Sequence, residues 1–266
     1  MKNILLTTIC FVSFLHSCKE AQKQKTTEEI IAATEAIDPK TQKNTSFIKI
    51  WPIQHATMVL EYHNKTIYVD PIGGASSYAN HKKPDIILIT DVHGDHMNPK
   101  TLSQLDTENS TIIVPKAVAE KLSEEFNEKL TILDNGATIT LLDITIEAIP
   151  MYNLREEALK FHQKGRGNGY VLTLGKERVY ISGDTEDIPE MRALKNIDIA
   201  FICMNLPYTM TVTSAANAVL EFKPKKVYPY HYRGTEGLSD VALFKELVNK
   251  GNAAIDVVQL DWYPEN

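Results

Sequence analysis

The sequence predicts an α/β fold in which two β-sheets are sandwiched between helices, in a single domain that extends from Phe47 to Asn266. Two observations support this class. Strand-like stretches rich in Val, Ile and aromatic residues occur in both halves of that region, and each half also contains one or two helical windows. The composition, with 43% hydrophobic and 23% charged residues, is that of a folded domain. Disordered, collagen-like and coiled-coil proteins are therefore excluded.

The first 17 residues are predicted to be a signal peptide and not part of the fold. Lys2 precedes an apolar run from Ile4 to Leu15, which is shorter than the roughly 20 residues that a membrane-spanning helix needs. The run ends in Leu-His-Ser-Cys, which resembles a bacterial lipoprotein signal. We therefore expect Cys18 to become the lipidated first residue, and the protein to be exported and lipid-anchored to a bacterial membrane. The alternative is ordinary secretion without lipidation.

Residues 18–46 are predicted to form a flexible tether that follows the lipidated cysteine. The segment after Cys18 has no aromatic residue and is rich in Lys, Glu, Gln and Thr, so it cannot bury enough apolar surface to order itself. Fully extended at about 3.3 Å per residue, it would reach on the order of 90 Å. The globular domain is then expected to begin at Phe47.

Strand candidates follow one another from Phe47 onward, and His63-Asn64 has the composition of a tight turn between two of them. One short apolar run has the pattern of a strand buried on both faces. The predicted strands are Phe47–Ile53, Ala56–Tyr62, Lys65–Val69, Asp85–Thr90, Thr111–Val114, Lys129–Leu133, Ala137–Leu142, Ile144–Ile149, Tyr170–Leu174, Arg178–Ser182, Ile197–Cys203, Lys226–Tyr230 and Ala254–Leu260. The predicted helices are Lys116–Phe126, Pro189–Leu194, Ser214–Phe222 and Ser239–Asn249.

Side chains of the metal-ligating type follow three of these strands. The first set is Asp91, His93, Asp95 and His96, four such residues within six positions directly after a buried strand. Asp184 and His231 each follow another strand. Alone, the first set could be a polar turn, Asp184 a turn or cap residue, and His231 a satisfied core histidine. Together they favour a metal centre, since imidazole and carboxylate ligands suit Zn²⁺, Fe²⁺ or Mn²⁺.

The motifs that carry these residues resemble those of the metallo-β-lactamase superfamily, in the order that the family shows. They are TDVHGDH at Thr90–His96, SGDT at Ser182–Thr185 and YPYHY at Tyr228–Tyr232. The opening IQHATMVLEY hairpin and the GNGYVLTLGKERVYISGDTE stretch are similar to the branch of UlaG-type lactonases and N-acyl-phosphatidylethanolamine phospholipases D. The resemblance implies a four-layer αββα sandwich and a metal-dependent hydrolase domain over residues 47–266.

The resemblance also implies a ligand set. Asp95, His96 and His231 would hold one metal, and Asp184 would bridge to a second metal that also takes His93. The cofactor would be one or two divalent ions, with Zn²⁺ as the first expectation and Mn²⁺ or Fe²⁺ as alternatives.

Two departures from the family pattern affect the second ion. Asp91 stands where the family has its first histidine, and it remains a candidate oxygen ligand. The lone histidine expected after strand Ile144–Ile149 is absent, and Asn153 stands nearby. Asn153 offers a weak carbonyl ligand, while His162 on the following loop could reach the metal or the substrate instead.

Other residues are candidates for supporting roles. His55, Asp70 and Tyr232 could orient the ligands from behind, although a purely structural role is the commoner explanation for His55 and Asp70. The loop of residues 162–168 is basic and glycine-rich, and it could close over an anionic substrate or be an ordinary hairpin loop. Tyr208, Met210 and Tyr232 are candidates for the pocket wall.

The resemblance implies a hydrolase in which a metal-bound hydroxide attacks a phosphodiester, a lactone or another ester, with Asp95 orienting the water as the catalytic residue. The substrate would be a small or lipid-like molecule, with a slight preference for a phosphodiester. The net charge of −6, without a cluster of Lys and Arg, gives no basis for binding nucleic acid. The alternatives are a non-catalytic binding protein on a degenerate fold and an iron oxygenase on the same scaffold.

Overall fold

The computed structural model describes residues 48–264, and two β-sheets make up most of that part of the chain. The predicted signal peptide of residues 1–17, the lipidation site at Cys18 and the predicted tether of residues 18–46 lie outside the described residues. Those assignments therefore stay predictions. Among residues 48–264, no helix combines the length and the apolar character needed to cross a membrane.

The first sheet contains six strands: β1 Ile48–Gln54, β2 Thr57–Tyr62, β3 Lys65–Val69, β4 Ile86–Leu88, β5 Thr111–Val114 and β6 Leu130–Ile132. They lie side by side in chain order, antiparallel from β1 to β3 and parallel from β3 to β6. Alternate side chains face opposite sides, as the strand period of two requires. Met58 and Leu60 enter the core shared with the second sheet, whereas Val59 enters a smaller core on the other face.

The second sheet contains seven strands: β7 Thr138–Leu141, β8 Ile144–Met151, β9 Gly167–Leu174, β10 Glu177–Ile181, β11 Ile199–Cys203, β12 Lys226–Tyr230 and β15 Asp256–Val257. The strands from β7 to β10 pair antiparallel, and β10, β11, β12 and β15 continue the sheet in parallel. A separate hairpin joins β13 Arg233–Gly234 to β14 Gly237–Leu238.

Helices cover the outer faces of both sheets. They are α1 Pro99–Gln104, α2 Lys116–Ala119, α3 Pro189–Arg192, α4 Val212–Phe222 and α5 Val241–Gly251, with 3-10 helices at Ala75–Tyr78, Glu124–Lys129 and Glu156–Ala158. Leu102 of α1 and Val118 of α2 pack in the smaller core of the first sheet. Val219 of α4 and Phe244 of α5 pack in the core that includes the second sheet. The predicted arrangement of two sheets between helices is confirmed.

Three element assignments from the sequence need correction. The helix predicted at Lys116–Phe126 ends at Ala119, because the chain turns to an extended conformation at Ser123 before the 3-10 helix. The strand predicted at Ala254–Leu260 is only two residues long. Helix α1 was missed, although Asn98 caps it through the Thr101 amide and Pro99 is its first residue, which are standard start signals.

The polar motifs lie where strands of both sheets end. The loop that carries Asp91 to His96 follows β4 of the first sheet, while Asp184 follows β10 and His231 follows β12 of the second sheet. Asn153 follows β8. Because the two sheets share one core, these ends come together at one edge of the sandwich.

Gly169, in the middle of β9, permits close packing of the strand that precedes Asp184. A Cβ atom at this position would lie 2.9 Å from the carbonyl oxygens of both Ile181 and Ser182. We expect Gly169→Ala to lower the free energy of unfolding by about 1–3 kcal/mol, since backbone atoms must shift to admit the methyl group. Urea unfolding of the purified protein measures this, with Thr173→Ala in the same strand as the control. Equal losses in the two variants would contradict the prediction.

Candidate metal centre

His96 lies at the centre of the cluster and is fully buried. Its Nδ1 is 2.8 Å from Oδ2 of Asp70, whose carboxylate also accepts hydrogen bonds from the amide and the hydroxyl of Thr90. Its Nε2 is 3.1 Å from Nε2 of His231 and 3.3 Å from Oδ2 of Asp184. Asp70 therefore orients the imidazole from behind and directs Nε2 toward the other two residues.

Asp184 joins the histidines of the cluster. Its Oδ1 lies 3.1 Å from Nε2 of His231, and its Oδ2 lies 3.3 Å from Nε2 of both His96 and His162. Burial acts to raise the pKa of Asp184, but the neighbouring His231 and His96 hold that pKa well below its usual range. Burial acts to lower the pKa of His96, yet the carboxylates of Asp184 and Asp70 raise it well above its usual value. Asp184 is therefore a buried anion that attracts cations.

Asp95 and His55 border the open side of the cluster. The Asp95 Oδ2 atom is 3.3 Å from Nε2 of His55 and 3.5 Å from Nε2 of His231. The His55 ring lies 4.0 Å from the His231 ring, and its Nδ1 is 2.8 Å from the Tyr263 hydroxyl. His55, which the sequence offered only as a supporting residue, thus touches the cluster directly.

Three residues of the centre hold a left-handed backbone conformation. The φ angles are 53° at His55, 44° at Asp70 and 45° at His231. This region is costly for residues other than glycine, at about 1–2 kcal/mol each, although Asp and His tolerate it better than branched residues do. The fold therefore retains local strain in order to direct these three side chains.

Asp91 is buried beneath the cluster and is paired with an arginine side chain that the motifs did not indicate. Arg166 donates to it through two nitrogens, Nε to Oδ1 at 3.1 Å and Nη2 to Oδ2 at 2.8 Å. The Oδ2 atom also lies 2.8 Å from Nδ1 of His93. Burial acts to raise the pKa of Asp91, but His93, His96 and Arg166 hold it below its usual value. Asp91 is therefore an ionised partner of Arg166.

The basic loop is bound to carboxylates of the protein itself. Arg166 pairs with Asp91, and Nζ of Lys164 is 2.7 Å from Oε1 of Glu190 and lies over the Tyr152 ring. Both charges are thus neutralised within the fold. The alternative that this loop closes over an anionic substrate gains no support.

His162 enters the cluster from the loop after β8, and it is almost fully buried. Its Nδ1 lies 3.1 Å from the Tyr208 carbonyl oxygen and 3.2 Å from the amide nitrogen of Asn153. That amide nitrogen already donates to the carbonyls of Ala158 and Tyr208, so Nδ1 is the atom that donates to Tyr208. Nε2 then has a lone pair, and it has no hydrogen-bond partner. Asn153 holds the loop through its backbone amide, which donates to the His162 carbonyl, and its side-chain Oδ1 is buried without a hydrogen-bond partner, so it remains a candidate oxygen ligand.

A cavity of about 370 Å³ opens onto this cluster. Its wall combines the polar residues His55, His93, Asp95 and Asp184 with further side chains, namely Phe161, His162, Asn205 and Tyr208. Tyr208 thus lies where the sequence predicted. Met210 is buried elsewhere, and Tyr232 packs edge-on against Tyr263 and does not reach the cavity wall.

The cluster fits a divalent metal on the chemistry of its donors. Nε2 of His162 and Oδ1 of Asp184 are buried and have no hydrogen bond of acceptable geometry, and such groups rarely stay unpaired. Ligands about 2.1 Å from one tetrahedral ion lie about 3.4 Å apart. The Asp184 carboxylate lies 3.1 Å from Nε2 of His231 and 3.3 Å from Nε2 of His96, and these two nitrogens are 3.1 Å apart. All three distances are close to that spacing.

The Arg166–Asp91 pair yields a stability prediction. Arg166→Met leaves a buried carboxylate without its guanidinium, so we expect the metal-free protein to lose about 3–5 kcal/mol of unfolding free energy. Lys164→Met, two positions earlier, breaks an exposed pair and should cost no more than about 1 kcal/mol. Urea unfolding in the presence of a chelator compares the two. Similar losses would show that Asp91 does not depend on Arg166.

Comparison with known proteins identifies the family to which the chain belongs. The sequence profile described as the Beta-lactamase superfamily domain matches residues 49–231. A UPF0173 metal-dependent hydrolase from Pyrococcus horikoshii is 28% identical over 212 residues, which cover 76% of this chain and 92% of that relative.

Two solved structures share the fold. A protein from Parabacteroides distasonis, described as a metal-dependent hydrolase, superposes with a TM-score of 0.71 and 42% identity, covering 80% of this chain and 92% of that one. A metallo hydrolase from Ignicoccus hospitalis superposes with a TM-score of 0.67 at 20% identity, covering 80% and 95%; this likeness concerns the fold alone. The sandwich architecture that the motifs implied is confirmed, and the chain belongs to the Beta-lactamase superfamily.

Proposed function

We propose that the protein is a metal-dependent hydrolase whose first ion is held by His96, His231, Asp184 and Asp95. The observation that carries this proposal is the convergence of two imidazole nitrogens and the Asp184 carboxylate within 3.1–3.3 Å of one another, in a fully buried position. Relatives and a structural neighbour named as metal-dependent hydrolases support it. Zn²⁺ is the first expectation for such ligands, and Mn²⁺ or Fe²⁺ are alternatives.

Asp95 is the side chain best placed to act on the attacking water. A divalent cation held in this position acidifies water and polarises the bond to be broken. Asp95 reaches the cavity and faces His55. Burial acts to raise the pKa of Asp95, whereas His55, His96 and His231 lower it below its usual value. Asp95 therefore stays ionised, and it can orient the attacking water by accepting a hydrogen bond from it.

The cavity wall favours an ester or lactone over a phosphodiester. None of the residues that line the described cavity is Lys or Arg, and the two cations of the basic loop are paired with Asp91 and Glu190. A phosphodiester would thus depend on the metal alone for charge neutralisation. The ring pair of Phe161 and Tyr208, 5.0 Å apart, offers an apolar surface beside the cluster. We accordingly place a neutral ester or lactone first and a phosphodiester second.

Removal of a ligand tests the hydrolase. We expect Asp184→Ala and His231→Ala to lower the metal content by at least one equivalent per chain and to reduce hydrolysis to background, because each removes a donor from the first ion. Metal content is measured by mass spectrometry, and activity on a panel of aryl esters, lactones and phosphodiesters. Asp143→Asn, in an exposed turn, is the control. A wild type that binds metal but cleaves nothing in the panel would favour the non-catalytic alternative.

Asp70 provides a second test that leaves every proposed ligand in place. Asp70→Asn puts an amide where the carboxylate accepts from Thr90 and His96. We expect metal affinity or activity to fall about 10–100-fold, the usual effect of losing a carboxylate behind a ligating histidine. Titration of the metal-free variant with Zn²⁺ measures the affinity. An unchanged dissociation constant would show that His96 needs no such support.

A further inference from the structure

We propose that Arg155 determines how large a substrate group the cavity admits, because it fixes the spacing of the two loops that form one cavity wall. The inference rests on the proposed function, since selectivity among esters has meaning only for a hydrolase. One loop, residues 152–166, joins β8 to β9 and contributes Phe161 to the wall. The other loop, residues 204–211, joins β11 to α4 and contributes Tyr208.

The Arg155 guanidinium is anchored on Glu186, which is almost completely buried. Its Nε donates to Oε1 of Glu186, and Oε2 accepts from the backbone amides of Leu154 and Arg155, each at 2.8 Å. Glu186 lies two positions after Asp184, in the segment that follows β10. The start of the 152–166 loop is therefore bound to the segment of chain that carries a proposed metal ligand.

The other end of the guanidinium reaches the second loop. Nη2 of Arg155 donates to the backbone carbonyl oxygen of Pro207 at 3.0 Å and to that of Thr209 at 2.8 Å. These are the residues on either side of Tyr208. The turn is also closed from within, since the carbonyl oxygen of Asn205 accepts from the amides of Tyr208 and Thr209. Because both neighbours of Tyr208 are held, its position relative to the first loop depends on Arg155.

The two loops meet through aromatic rings. Phe161 packs edge-on against Tyr208, with the ring centres 5.0 Å apart, and both loops carry leucines that are 40–48% exposed, namely Leu154, Leu159 and Leu206. Such a wall suits the hydrocarbon part of an ester. One methylene more or less in an apolar pocket changes kcat/KM by about 10–200-fold. The acyl group of the substrate therefore packs against this wall, and the loop spacing limits its size.

The link between the loops requires an arginine. The planar guanidinium has five donors and serves the Glu186 carboxylate and two carbonyl oxygens at once. Lysine offers a single ammonium on a flexible stem and cannot reach both sides in this geometry. Glu186 keeps its two backbone donors when residue 155 is replaced. Its carboxylate is then not left without hydrogen bonds, so variants at this position are expected to fold.

Selectivity among esters tests the inference. The full-length, metal-loaded protein is assayed with p-nitrophenyl acetate, butyrate and octanoate. We expect Arg155→Met to raise the ratio of kcat/KM for the octanoate to that for the acetate by at least about tenfold, through KM more than kcat, because the loops separate. Arg155→Lys should shift the ratio in the same direction. Arg178→Met is the matched control and should keep the wild-type ratio, since Arg178 has similar exposure and pairs with Glu147 of β8.

Hydrogen exchange of the backbone amides reports on the loops without any substrate. Arg155→Met should exchange faster than the wild type in residues 152–166 and 204–211, at an unchanged metal content. Unchanged exchange in both loops would overturn the link itself. An unchanged ester ratio, or an equal loss of kcat on all the esters, would overturn the selectivity role. A metal-loaded wild type that cleaves none of the esters would instead overturn the proposed ester hydrolase, and the selectivity role with it.

Discussion

Two apolar sheets pack face to face, and this contact determines where the polar chemistry lies. Side chains of β2, β3 and β4 interlock with those of β9 to β12 in one continuous core. Central strands such as β4 and β11 are buried on both faces and tolerate few polar groups along their length, so the ligand-type residues lie at the strand ends. Because both sheets end at the same edge, loops that are distant in the chain meet there. The cluster is thus a consequence of sheet packing.

The cluster depends in turn on buried carboxylates. Asp70, Asp91 and Asp184 are all almost completely buried, and an unpaired carboxylate in that position would be strongly destabilising. Each of the three carboxylates is stabilised in a different way. Asp70 takes three hydrogen bonds from Thr90 and His96, Asp91 is clamped by Arg166, and Asp184 faces imidazoles. Protein groups alone satisfy Asp70 and Asp91, whereas one oxygen of Asp184 has no hydrogen bond.

The sequence predicted the parts of this structure that carry a local compositional signal. Stretches rich in Val, Ile and aromatic residues located the strands of the two sheets, and the strand ends located Asp91 to His96, Asp184 and His231. Irregular loops carry no such signal, so the direction of the His162 ring could only be stated as an alternative. The pairing of Arg166 with Asp91 joins residues 75 positions apart, and no local pattern reports such a contact. The helix predicted at Lys116–Phe126 was too long because Leu122 and Phe126 are buried at helical spacing, although Leu122 lies beyond the α-helix and Phe126 lies in the 3-10 helix that follows.

The strained backbone at His55, Asp70 and His231 links metal supply to the lifetime of the protein. A site that combines backbone strain with buried charges has its lowest local stability without a metal. Its loops therefore open most easily in the metal-free state. A cation that binds the folded chain alone stabilises it by about 4 kcal/mol at a thousandfold excess over its dissociation constant. With the proposed metal in place, the loops at this edge would resist proteases. In a metal-poor compartment these loops would open more often than in the metal-bound protein, so the resistance of the domain to proteases would follow the availability of the metal.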